Sequence, residues 1–137
     1  MSKIIAIDFG LKRTGLAITD ELRIIAAPLT TVDSVNLIDH LEVLFQKETI
    51  EIIVLGEPKR LDNSDSHISE NVRLLKVVLE NHFSNKKVVL HDERFTSKIA
   101  ARLLIASGMK KKKRQEKGTL DMVSAAVILQ SYLDSIS

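Results

Sequence analysis

Three carboxylate positions stand where a fold concentrates chemistry. Asp8 closes the apolar run Ile4 to Ile7 in the stretch IDFG, Asp92 and Glu93 close another in HDERFTS, and Asp121 opens the apolar stretch LDMVSAAVIL. In sheets flanked by helices, functional groups gather at strand ends and the adjoining loops. Each acid alone has a plain structural role: Asp8 in a turn, Glu93 in a surface ion pair beside Arg94, Asp121 complementing a helix N-terminus. Gathered at one edge of a core, Asp8, Glu93 and Asp121 would repel one another and need a counter-charge. Oxygen ligands without cysteine, and without histidine at a ligating spacing, point to Mg²⁺ or Mn²⁺. Such ions bind phosphate and activate water in phosphodiester cleavage.

The residues around the acids suit the same chemistry. Gly10 and Gly15 allow close backbone approach or a positive φ, and Lys12 and Arg13 between them place cations near the acids without joining them. Thr96 and Ser97 either donate to a phosphate or cap the next helix. Ser124 and Ala125, one turn beyond Asp121, are small enough to leave room for ions and a nucleic-acid backbone. Lys110 to Lys117 (KKKKRQEK) carries a net charge of +5, so the remaining 129 residues sum to −3 in a chain of net charge +2. A single basic cluster on a slightly acidic body favours contact with a polyanion at one place, although a solvated lysine loop has the same composition.

The elements that must position these groups follow from apolar periodicity. Strands are expected at Lys3 to Phe9, Thr14 to Thr19, Arg23 to Val32, Glu51 to Gly56 and Lys87 to His91, the first three joined closely enough to form an antiparallel meander. Leu37, Leu41, Leu44 and Phe45 predict a helix capped by Asp33 or Ser34, and Ile68 to Phe83 predict a second amphipathic helix. The stretch 57–66 reads as a loop. A further helix should run from Thr96 or Ser97 to Ser107, and a deeply packed last one from Leu120 to about Leu133 with Thr119 as its cap. The order βββαβαβαα implies an α/β fold: a mixed sheet covered by helices on both faces.

At 137 residues, 45% apolar and 28% charged, the chain fits a single globular domain spanning 1–137. Zero cysteines exclude disulfide scaffolds and thiolate metal sites. The sequence has no secretion signal and no apolar run long enough to span a membrane, so a cytoplasmic protein is expected.

The segments IAIDFGLKRTGLAI, GEP, DERFTS, KKKKR and LDMVSAAVILQSYL occur in the order seen in the YqgF family, which this chain resembles over nearly its whole length. These are RuvC-like proteins of ribonuclease H fold, described as Holliday junction resolvases and as pre-16S rRNA nucleases. The resemblance implies a ribonuclease H-like five-stranded sheet and a metal-dependent nuclease using Mg²⁺ or Mn²⁺. It carries the catalytic and metal-binding triad onto Asp8, Glu93 and Asp121. Nucleic-acid contacts are expected at Gly10, Lys12, Arg13, Arg94, Thr96, Lys110, Lys111, Lys112, Lys113 and Arg114. Two departures stand out. GEPKRLDNSDS has Asn63 where the family commonly has glycine, and Met122 follows Asp121 where a polar residue is usual.

The expected activity is therefore cleavage of structured nucleic acid, foremost at the 5′ end of pre-16S rRNA, by a monomer or homodimer. A junction resolvase uses the same chemistry but needs a dimer to cut two strands symmetrically. An ATP-binding protein of the actin and sugar-kinase type needs a second lobe for which the chain has no room. A non-catalytic RNA-binding factor would keep the lysines and use the acids for a structural ion.

Overall fold

The computed structural model describes residues 2–57, 67–92 and 117–136. Five strands, β1 (Lys3–Asp8), β2 (Arg13–Thr19), β3 (Ala26–Asp33), β4 (Ile50–Glu57) and β5 (Lys87–Asp92), form one sheet in the order β3-β2-β1-β4-β5. The β1, β2 and β3 strands pair antiparallel as a meander, while β4 joins β1 and β5 joins β4 in parallel. The helices are α1 (Leu37–Lys47), α2 (His67–His82) and α3 (Lys117–Ile136). The helix expected between Thr96 and Ser107 lies outside the described residues, as does most of the 57–66 loop.

Alternation along the strands sorts the core into two layers, because successive side chains on a strand point to opposite faces. Ile5, Ile7, Leu16, Ile53 and Leu55 pack with Leu37 and Leu41 of α1 and with Val72 and Leu79 of α2. Ile4, Ala6, Ala17, Ile52 and Val54 meet Ala125, Ile128 and Leu129 of α3 on the opposite face. Strands sandwiched this way must be apolar on both sides, which is why IIAI and IIVL read as unbroken apolar runs. Leu41 is fully buried. Leu41→Ala should therefore lower unfolding free energy by about 2–5 kcal/mol in urea titrations, with little change in activity per folded molecule.

Apart from ends that shift by a few residues, three features differ from the sequence expectation. Arg23 to Ile25 is not strand: Asp20 Oδ1 accepts hydrogen bonds from the Ile24 and Ile25 amides, and Arg23 takes the left-handed conformation at φ 57. The apolar look of LRII misleads there because Leu22, Ile24 and Ile25 are all more than 60% exposed. Asp33 makes no capping hydrogen bond, and a 3₁₀ turn, Ser34–Asn36, precedes α1. Thr119 is not a cap either, since α3 is already helical at Lys117 and the Thr119 side chain is buried. Among the described residues, no helix is long and apolar enough to cross a membrane.

Candidate functional site

Asp8 is the last residue of β1 and sits directly across from Gly15 of β2. Following Ile4 and Ala6 in the alternation, its side chain belongs to the face covered by α3. Gly15 lies on that same face, and there the α3 backbone passes so close that a β-carbon on Gly15 would stand 2.0 Å from the Asp121 carbonyl oxygen and 2.8 Å from the Met122 amide nitrogen. The missing side chain of one glycine thus puts the Asp121 backbone directly over the β-strand position paired with Asp8. The Asp121 backbone lies next to the end of β1 that carries Asp8, on the side of the sheet where β1, β4 and β5 all end.

The other small residues serve the same approach. Ala6, Ala17 and Ala125 are fully buried between sheet and helix, and Ser124 is nearly so. Ser124 and Ala125 therefore do not leave the room for a ligand that the sequence led us to expect; their small, buried side chains let the helix seat closely on the sheet. Further ties hold α3 in place: the Thr31 hydroxyl donates to the Gly118 carbonyl, and the Ala26 amide donates to Gln130 Oε1. Asp121 lies beyond the first turn of α3. Stabilisation by the helix dipole fades within that turn, so the dipole gives little reason for an acid there.

Arg13 corrects a second expectation. It does join the acids: its Nε donates to Asp121 Oδ2 at 3.0 Å, forming an ion pair between half-buried side chains. The pairing follows from the strand period, because Arg13 is two residues from Gly15 and shares its face. Lys12, by contrast, is exposed. The loop carrying both is fastened from below. Ser34 donates through its hydroxyl to the Gly10 carbonyl and through its amide to the Lys12 carbonyl, while Thr14, fully buried, shares a 2.8 Å hydrogen bond with the Ser34 hydroxyl. Gly10 is required by crowding rather than by a left-handed φ: a β-carbon there would stand 2.5 Å from the Arg13 carbonyl oxygen.

At the far edge, β5 ends at the exposed Asp92, and Glu57 ending β4 pairs at 3.3 Å with Arg73 of α2. His91 points to the α3 face, sharing a 2.8 Å hydrogen bond with the Ser131 hydroxyl and lying edge-on to Tyr132. Burial pushes the His91 imidazole below its ordinary pKa, against the opposing pull of Asp92. The remaining expected residues, Glu93, Arg94, Thr96 and Lys110 to Arg114, lie outside the described residues. Among those described, no group of three acids or histidines is clustered for a metal ion. Asp8 and Asp121 offer oxygen donors only, the chemistry that suits Mg²⁺ or Mn²⁺.

Close backbone approach at Gly15 was expected from sequence, but not that α3 is what approaches, and the role of Ser34 was missed. For Gly15 a signal was present: Ala6, Gly15 and Ala17 fall on one face of two paired strands, the pattern left by a closely packed helix. Nothing local marks Ser34 as the fastening of the Gly10 loop.

The family model described as RuvX: Holliday junction resolvase matches residues 2–135. A relative from Flavobacterium johnsoniae, named "Putative pre-16S rRNA nuclease", is 44% identical over 135 residues, covering 98% of both chains. A relative of the same name from Porphyromonas gingivalis is also 44% identical, again with 98% of each chain covered. Among solved structures, Thermus thermophilus RuvC in complex with Holliday junction substrate superposes with a TM-score of 0.58 at 16% identity, covering 99% of this chain and 96% of that one. That likeness shows the fold, a RuvC-type, ribonuclease H-like mixed sheet.

Proposed function

The chain belongs to the RuvX family of nucleases, and from that membership we propose that it hydrolyses phosphodiester bonds in structured RNA, acting at the 5′ end of pre-16S rRNA. The observation that supports this reading is the seating of α3 on Gly15, which brings Asp121 over the strand position paired with Asp8. Asp8 and Asp121 give this side of the sheet two carboxylates of the oxygen-donor kind that Mg²⁺ or Mn²⁺ takes, and a nuclease supplies a reason for such an ion even though Arg13 already pairs with Asp121.

In this reading Asp8, Asp121 and Glu93, the residue that follows Asp92 in the chain, hold Mg²⁺ or Mn²⁺. A bound divalent ion neutralises the developing phosphate charge and activates water. The chain's own groups orient the substrate. Lys12, exposed on a loop held by Ser34, attracts the backbone phosphates, and Arg94, Thr96 and Lys110 to Arg114 extend the contact along the nucleic acid. Such contacts weaken with salt, because each neutralised phosphate releases condensed counterions. The protein acts in the cytoplasm as one domain, as a monomer or homodimer.

A second reading is favoured by the family description: cleavage of four-way DNA junctions, which requires a dimer. One assay separates them. Wild type and Asp121→Asn are incubated with precursor 16S rRNA and with a four-way DNA junction, each with Mg²⁺ or Mn²⁺. Metal-dependent cleavage of the RNA by wild type, reduced by about 10³-fold in Asp121→Asn, is the expected result; that ratio corresponds to about 4 kcal/mol of barrier. Cleavage of the junction alone transfers the assignment to the resolvase reading. No metal-dependent cleavage of either substrate would overturn both.

A further inference from the structure

Arg13 was expected to grip phosphate, yet its guanidinium already has a partner in Asp121. Arg13 and Gly15 lie on one face of β2, and Gly15 admits the Asp121 backbone onto that face. Whatever brings Asp121 to the site therefore also delivers it to Arg13. The contact is a single-point one through Nε onto Oδ2, with the side chains 37% and 26% exposed, so it holds the carboxylate loosely and reversibly.

We propose that Arg13 is a built-in counter-cation for Asp121, competing with the divalent ion for that carboxylate, and so a positioning residue that sets metal affinity rather than a phosphate ligand. The inference rests on the metal-binding reading above. Asp8 and Asp121 are like charges brought to one edge, and one of them must be compensated when no divalent ion is bound. Arg13 does this from within the chain. When the ion binds, the guanidinium becomes a positive charge beside a positive charge, and the resulting repulsion weakens metal binding.

The test is Mn²⁺ binding to the full chain without nucleic acid, measured by calorimetry and by the electron paramagnetic resonance signal of free Mn²⁺. Arg13→Gln should bind Mn²⁺ about fivefold more tightly than wild type, the size expected for removing one partly solvated charge near the ion. Its thermal midpoint should also rise more on adding Mn²⁺. The gain should vanish in the Asp121→Asn background, which a merely structural role for Arg13 would not require. Lys76→Gln, removing an equal charge on α2, should leave Mn²⁺ affinity unchanged. Unchanged or weaker Mn²⁺ binding by Arg13→Gln, with a shallower salt dependence of nucleic-acid binding, would identify Arg13 as a phosphate ligand and overturn the inference while leaving the nuclease reading intact. Absence of Mn²⁺ binding to wild type would overturn both.

Discussion

Gly15→Ala is expected to reduce cleavage by about 10²-fold or more while lowering the thermal midpoint by several degrees. Alanine normally suits a strand interior better than glycine, which loses more conformational freedom on folding. Here the sign reverses. The added β-carbon would fall 2.0 Å from the Asp121 carbonyl oxygen and 2.3 Å from its carbonyl carbon, so backbone would have to move away from backbone. No side-chain rotation relieves that contact. The start of α3 must lift from β2, loosening the close packing of Ala6, Ala17 and Ala125 at a cost of about 1–3 kcal/mol. Asp121 is carried away from the position paired with Asp8. A displacement near 1 Å at reacting groups is enough for about a 10²-fold loss. Near-wild-type activity in a folded Gly15→Ala protein, with stability measured by urea titration in parallel, would show that the Asp8 and Asp121 juxtaposition does not matter.

Asp8→Asn should separate activity from stability most cleanly. Cleavage should fall by about 10³-fold or more, equivalent to at least about 4 kcal/mol of barrier. The thermal midpoint should stay within a few degrees, because the isosteric amide preserves volume and removes a like charge from beside Asp121. The contrast with Gly15→Ala is informative. Both variants should cut cleavage strongly, but only the glycine variant should disturb the packing of α3. If Asp8→Asn instead kept full cleavage, Asp8 would have no part in catalysis and the metal-binding assignment of the acids would fall.

Much of this was legible along the chain because it is local. The unbroken apolar runs IIAI and IIVL announce strands buried on both faces, since no solvent-facing side exists to demand polar residues. The short connections of the first three strands foretell the antiparallel meander, and the small, apolar surface of MVSAAVIL foretells a deeply packed last helix. Asp8 is found at the end of its strand, as expected, whereas Asp121 falls beyond the first turn of a helix that begins earlier than its sequence pattern suggests. The β2–β3 connection was misread for an equally physical reason. A turn held by one aspartate side chain to two backbone amides leaves no trace in apolar periodicity.

Sequence by itself determined the five strands, the helices on either side of them that the structure describes and the mixed architecture, because side-chain period and residue chemistry are properties of short stretches. Only the tertiary structure decided the contacts between distant residues. That Gly15 works by admitting another backbone, that Ser124 and Ala125 are packing residues, that Arg13 holds Asp121, and that Ser34 fastens the Gly10 loop all depend on which strand lies beside which and how closely a distant helix approaches. Those distances are set by packing across the whole sheet, and no window of the chain contains both partners.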